Sequence, residues 1–252
     1  MILELQKGII YGPVNSRRLG RSLGINILPP ARKVCPFNCV YCQYGWTETH
    51  VARADMIPEL PSVNSVRIAL QEALTELPIP PAYITFSGNG EPTLHPEFDG
   101  IVEEVITLRD RLTPGAKTAV LSNSALVSNP LTRASLTKLD MRIMKLDCGS
   151  RETFTKYNQP CAGVDIEAIT EGLVQLSGAH IQTLVAAGGR GNLNPENIEE
   201  WIERLKRIKP VSIQLYTLDR GYPSNQLGPA SRKDLNRIQS RVKKEGLEID
   251  VF

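Results

Sequence analysis

The sequence predicts an α/β protein whose parallel sheet curls into an open, partial (β/α)6 barrel. Three observations lead there. Short apolar, β-branched runs alternate with segments of helical period. Six such strand–helix units follow one another, an order that reads as parallel strands joined by right-handed crossovers that curl the sheet. Six units fall short of the eight of a closed barrel, and a chain of 252 residues with 41% hydrophobic content suits a single core.

In chain order, residues 1–23 read as an irregular basic arm, with Gly8, Gly12, Pro13 and Gly20 as turns. The barrel occupies residues 24–252, and 1–252 reads as one domain. Residues 24–28 alternate as a short strand that leads into a cysteine-rich loop. Residues 63–77 carry Val66, Leu70 and Leu74 near helical spacing, and Pro78, Pro80 and Pro81 end that helix. A strand follows at 82–86, then a helix whose face holds Phe98, Ile101, Val102, Val105 and Leu112. Strand 117–121, a short helix at 131–139 and strand 141–146 continue the alternation. Residues 165–176 read as helix and 180–187 as strand. Asn194 and Pro195 form a cap and first-turn pair for a helix buried through Ile198, Trp201, Ile202, Leu205 and Ile208. Strand 211–217 is the sixth. Ser231 and Asp234 open a last helix through Lys244, and residues 247–251 fit an edge strand.

Composition excludes some classes. The formal net charge of +2 selects no partner. No apolar run approaches the ~18 residues of a membrane span, and residues 1–10, with Glu4 and Lys7, lack a signal-peptide layout. Five cysteines, three of them clustered, do not form a disulfide framework. A reducing cytoplasm is expected.

The clustered thiols are Cys35, Cys39 and Cys42, in Cys-Pro-Phe-Asn-Cys-Val-Tyr-Cys. Thiolates so spaced can hold one metal centre from a single loop. Iron–sulfur clusters take cysteine ligands, and three ligands with no nearby fourth point to a four-iron cluster with one iron open. Structural zinc sites are closed by four ligands, commonly from two separated short pairs, and the second pair is missing here; Cys148 and Cys161 are isolated and read as buried thiols. Ser87-Gly88-Asn89-Gly90-Glu91-Pro92-Thr93 follows the strand at 82–86, and its glycines let backbone approach a ligand. Ser122-Asn123-Ser124 follows the next strand. Lys145 and Asp147 end the one after, on one strand face.

Cys-x3-Cys-x2-Cys with an aromatic residue before the last cysteine resembles the cluster loop of the radical S-adenosylmethionine (SAM) superfamily. The 88–92 stretch resembles that family's Gly-Gly-Glu-Pro motif, with Asn89 as a departure. The resemblance implies a partial barrel, a [4Fe-4S] cluster on Cys35, Cys39 and Cys42, and SAM at its open iron. Cleavage to a 5′-deoxyadenosyl radical then abstracts hydrogen from a substrate. It also implies SAM contacts by the backbone of Gly88, Asn89, Gly90 and Glu91, contacts by Lys145 and Asp147, and Tyr41 near adenine; the hydroxyl and amide groups of Ser122 and Asn123 suit either a ribose contact or turn capping. An electron donor such as flavodoxin or ferredoxin is implied. Lys-Leu-Asp-Cys-Gly and Leu-Tyr-Thr-Leu-Asp-Arg further resemble stand-alone iron–sulfur oxidoreductases related to the wyosine-forming transfer RNA enzymes, although no cysteine precedes Cys35 to hold a second cluster.

Three readings follow: an enzyme acting on a small molecule or an RNA nucleoside, a glycyl-radical activating enzyme acting on a protein, or a non-catalytic metal- or RNA-binding module. The first fifty residues hold six basic side chains, Lys33 among them, against two acidic ones, a cationic rim suited to an anionic substrate or to SAM's carboxylate. Arg237, Arg241 and Lys244 form a stripe that reads as a solvated face or an RNA contact. Asp219 and Arg220 either face the substrate or pair with each other.

Overall fold

The structure is a computed structural model describing residues 2–53, 57 and 59–252. It opens on a hairpin rather than an irregular arm. β1 (Ile10–Ser16) pairs antiparallel with β2 (Gly20–Ile25), with a register shift between Tyr11 and Val14. The residues that read as turns build this hairpin: Gly12, at φ 95°, sits in the bulge, and Gly20, at φ 66°, closes the turn. A bulged strand rich in Gly and Pro has no clean alternation, which is why it was read as coil.

β3 (Val34–Cys35) and β4 (Thr49–His50) form a small parallel pair that ties the two ends of the cysteine loop together. The alternation follows: α1 (Val63–Glu76), β5 (Tyr83–Phe86), a 3-10 turn (Pro92–Leu94), α2 (Phe98–Leu112), β6 (Lys117–Ser122), α3 (Pro130–Thr137) and β7 (Met141–Lys145). Then come α4 (Arg151–Tyr157), α5 (Ile166–Gln175), β8 (Ala179–Ala187), α6 (Pro195–Ile208), β9 (Ser212–Thr217), β10 (Gly228–Pro229), α7 (Arg232–Lys244) and β11 (Ile249–Val251). The sequence reading misses β1, β3, β4, β10 and the short α4, and sets the strand expected at 24–28 several residues later than β2. Helix α4 starts where Ser150 Oγ accepts from Thr153 N at 3.1 Å, and it carries Phe154 and Tyr157 inward.

The main sheet runs β1-β2-β5-β6-β7-β8-β9-β11, with β10 beside β8. From β2 to β9 the strands lie parallel in chain order. β11 adds the expected edge, parallel to β9. The two ends of the sheet do not pair among the described residues, yet they meet. Arg17, in the β1–β2 turn, forms an ion pair with Asp219 beyond β9, and Arg18 lies 4.6 Å over the Tyr216 ring of β9. The sheet is therefore curled into a partial barrel whose gap is spanned by the hairpin turn.

Helix starts follow the capping rules read from sequence. Asn194 Oδ1 accepts from Asn197 N at 2.8 Å with Pro195 in the first turn, and Ser231 and Asp234 form a reciprocal capping box. Helix α6 buries the five apolar residues expected. Each contributes about 1.5–3 kcal/mol, several times an exposed ion pair, so the apolar stripe and not the surface charge seats the helix. The buried faces of the strands and helices merge into one large apolar cluster. No helix among the described residues is long and apolar enough to cross a membrane.

Candidate active site

The cysteine loop is fastened at the carboxyl ends of the strands, where parallel α/β folds place their sites. Val34 N donates to Asn89 O at 2.9 Å, and Glu91 N donates to Val34 O at 3.2 Å. These bonds lay the loop along the Gly-Asn-Gly-Glu turn. Cys35 and Cys39 are buried and Cys42 is half-buried. All three line one cavity of about 160 Å3 with Lys33, Gly88, Gly90, Glu91, Ser122 and Asn123.

The sulfurs sit among donors. Asn123 Nδ2 lies 3.3 Å from Cys35 Sγ, and Asn158 Nδ2 lies 3.4 Å from Cys39 Sγ. Burial pushes both thiols up, Cys39 to about 11, while Lys33 works the other way. Lys33 is only 3% exposed, so it is not part of a solvated cationic rim. Its Nζ donates to Gly45 O at 2.9 Å. Burial opposes its charge, but the three cysteine sulfurs outweigh burial and raise its pKa. A buried ammonium and two amide donors fit a group bound through thiolates and carrying negative charge. No three His, Cys, Asp or Glu side chains among the described residues converge to hold a single ion. In a four-iron cluster each thiolate binds its own iron, so the sulfurs need only line one cavity, as they do.

The glycine turn has a reason the sequence did not reveal. A Cβ on Gly90 would lie 1.7 Å from Val34 O, and one on Gly88 would lie 2.6 Å from Asn26 Oδ1. The glycines thus admit the cysteine loop and a β2-end side chain against the turn, in addition to lining the cavity. Asn89 is fully buried, and its side chain faces away from the cavity. It accepts from Gln6 N at 2.7 Å and donates to Gln6 O and Pro29 O.

Glu91 accepts from Thr93 N and Oγ1, from Ser122 Oγ at 2.8 Å and from Asn123 N at 2.5 Å. Burial raises its pKa although these bonds favour the carboxylate. Ser122 and Asn123 are therefore positioned by Glu91, and the Asn123 amide is turned to a sulfur.

Lys145 and Asp147 are an ion pair, but a buried one. Lys145 Nζ is 2.9 Å from Asp147 Oδ1 and donates to Tyr216 OH at 3.0 Å. Burial opposes the ammonium; Asp147 and Tyr216 overcome it and raise the Lys145 pKa. Asp147 also accepts from Leu184 N at 2.9 Å, from Asn158 Nδ2 at 3.0 Å and from Tyr41 OH. With every lone pair engaged and its side chain sealed from solvent, Asp147 acts as an anchor beneath the cavity wall. The Tyr41 ring is engaged as well, 4.8 Å from the Tyr157 ring and 5.1 Å from Lys145 Nζ. It forms wall rather than a bare stacking face.

A second cavity of about 410 Å3 adjoins the first, and Tyr41, Cys42, Lys145 and Gln182 line both. Arg17, Arg18, Asp219 and Arg220 line the far side. Asp219 and Arg220 do face this chamber, and Asp219 pairs with Arg17 rather than with Arg220. Sequence reasoning missed Asn158, Gln182 and Tyr216. Gln182 Nε2 donates to Gln214 Oε1 at 3.0 Å, and Tyr216 OH lies 3.3 Å from Gln182 Oε1. The available signal was a polar residue inside each of two apolar strands. Asn158 carried none, because α4 was not foreseen. Cys148 is buried with its thiol 3.3 Å from Asn158 Oδ1, and Cys161 N donates to Pro36 O. Arg237 and Arg241 of the last helix pair with Asp234 and Glu199, so that stripe is largely neutralised.

The family model for the radical SAM superfamily matches residues 32–205, more than half of the chain. A UPF0026 protein of Synechocystis is 35% identical over 219 residues, covering 85% of this chain and 77% of that protein. One from Helicobacter pylori is 32% identical over 231 residues, covering 90% and 70%. Among solved structures, a radical SAM methyltransferase from Sphaerobacter thermophilus superposes with a TM-score of 0.64 at 13% identity, over 92% of this chain and 65% of that one. TYW1 with a lysine-pyruvate adduct bound gives a TM-score of 0.63 at 16% identity, over 89% and 73%. At such identities these two establish the fold.

Proposed function

We propose that this chain, which belongs to the radical SAM superfamily, is an enzyme that cleaves SAM at a [4Fe-4S] cluster and takes hydrogen from a small-molecule substrate. One observation carries the reading: three cysteines and a glycine turn line a cavity that continues, past Tyr41 and Lys145, into a larger chamber.

In this reading Cys35, Cys39 and Cys42 hold the cluster. When bound, the cluster and SAM supply one-electron cleavage of the sulfonium and a carbon radical that abstracts hydrogen. The chain's own residues bind and orient. Backbone at Gly88 and Gly90 offers carbonyls to the SAM ammonium, and Ser122, Lys145 and the edge of Tyr41 offer polar contacts. Asn123 and Asn158 donate to cysteine sulfurs, which lowers the cost of holding negative charge there. Asn89 and Asp147 position these groups without facing the ligand, and Glu91, at the cavity wall, holds Ser122 and Asn123. The hairpin turn forms one wall of the chamber. An electron donor such as flavodoxin or ferredoxin completes the system.

A small molecule is favoured over a glycine-bearing protein loop or RNA because the Arg17–Asp219 ion pair lies across one wall of the chamber and two of the three basic residues of the α7 stripe, Arg237 and Arg241, are paired.

Anaerobic reconstitution with iron and sulfide tests the reading. The expected product holds about four irons per chain and releases 5′-deoxyadenosine from SAM under reduction. Cys39→Ala should lose both iron and release. Stoichiometric zinc, or release that survives in Cys39→Ala, would overturn the assignment.

A further inference from the structure

We propose that the chamber beneath the hairpin binds a small anionic substrate, carrying a carboxylate or a phosphate, through Arg18. The inference rests on the reading of this chamber as the substrate site.

Among the described residues four cationic side chains line the chamber, Arg17, Arg18, Lys145 and Arg220, against one carboxylate, Asp219. Two of the four are matched. Arg17 pairs with Asp219, and Lys145 pairs with Asp147 below the wall. Arg220 donates to the neutral Gln43 Oε1 at 3.1 Å. Arg18 makes no ion pair among the described residues. Its guanidinium lies over the Tyr216 and Phe252 rings, at 4.6 and 5.7 Å, and its Nη1 is buried with no hydrogen-bond partner.

Such an arrangement is expensive for the protein alone. A half-buried cation with no counter-charge gives up hydration that two aromatic faces replace only in part. Burial, with Arg17 and Arg220 nearby, holds the Arg18 pKa below the usual arginine value even though Tyr216 and Asp219 favour its charge. An arriving anion supplies the missing counter-charge. A guanidinium held over two rings offers its N–H groups other than the buried Nη1 to carboxylate or phosphate oxygens.

Position separates this anion from the SAM carboxylate. Arg17, Arg18 and Arg220 are absent from the lining of the cysteine cavity. Size favours a small molecule: about 410 Å3 falls within the range of small-ligand sites.

The test titrates the cluster-loaded enzyme by calorimetry with inorganic phosphate and, separately, with succinate. One probe is expected to bind at one site per chain. Arg18→Gln should weaken it roughly ten-fold or more, and Arg18→Lys by less, as loss of a charge-assisted contact requires. Binding of phosphate alone indicates a phosphate ester, and binding of succinate alone a carboxylate. Should Arg18→Gln fail to fold, Arg220→Gln carries the test with an expected loss of about three-fold or more. Failure of both probes with wild type, or equal affinity in the variant, overturns the proposal. So does a matching loss of SAM affinity, which would put the SAM carboxylate at Arg18. Probe binding in a protein that releases no 5′-deoxyadenosine counts for the anion site and against the enzyme reading. Release with no probe bound counts the other way.

Discussion

The cavity at the cysteine loop and the chamber under the hairpin share a wall, yet their polar groups are settled in opposite ways. At the cysteine end Glu91 takes donors from Thr93, Ser122 and Asn123, and Asp147 takes them from Tyr41, Lys145, Asn158 and Leu184. These carboxylates are spent on the protein. Under the hairpin, Arg18 keeps a buried N–H without a partner and Arg220 meets only a neutral amide. Groups satisfied internally fix geometry; groups left with uncompensated charge address something that arrives. In the proposed reading the first region holds cofactors in one pose and the second selects a substrate.

The largest effect that sharpens this contrast is expected from Asp147→Ala. Removing one member of a buried pair leaves Lys145 charged and unmatched, at a cost of about 3–5 kcal/mol. Chemical denaturation of the apoprotein should report that loss. A cost under about 1 kcal/mol would mean the pair is solvated and the anchor role is wrong.

Gly90→Ala comes next. The new Cβ would fall 1.7 Å from Val34 O at a residue whose φ is 143°. Strain and overpacking together are expected to cost on the order of 2–4 kcal/mol, with poorer iron retention because the Val34 bonds hold the cysteine loop. Gly115→Ala is the control. A Cβ there meets nothing within 4 Å, and the change should be neutral or stabilise by about 0.4–1 kcal/mol. Equal destabilisation by both variants would remove the special status of the turn.

The same contrast explains what could be read from the sequence. Strands β5 to β9 were legible as short apolar runs buried or half-buried nearly throughout, and helices α1, α2, α5 and α6 because each buries one face at helical period; the capped helix starts at Asn194 and Ser231 needed only local rules. The cysteine, Ser-Gly-Asn-Gly-Glu and Lys-Leu-Asp stretches were legible as motifs because their residues are close in sequence. Their roles were less so. Asn89, Glu91 and Asp147 point into protein, and that orientation depends on partners 30 or more residues away. The hairpin side was hidden for two reasons. Its bulge erases the period-two pattern, and its contacts join opposite ends of the chain, Arg17 to Asp219 and Arg18 to Phe252. No local window contains both halves of such a pair.

The smallest expected effect comes from the ion pair that spans the barrel gap. Arg17 and Asp219 are about half exposed, at 59% and 48%, so water screens them and Asp219→Asn should lower global stability by less than about 1 kcal/mol. The same pairing chemistry therefore differs several-fold in worth between Asp147 and Asp219, and burial is the reason. The local consequence is different. Among the described residues β1 is an edge strand, paired on one side, to β2, so its opening does not require the barrel to unfold. Loss of Arg17's partner should then speed amide hydrogen exchange in Ile10–Ser16 and leave β6 to β8 unchanged. Charge exchange in Arg17→Asp/Asp219→Arg should restore slow exchange, since the geometry is kept and the sign reversed. Uniform acceleration across the sheet would mean that the hairpin is part of the cooperative core and not a gate laid across it.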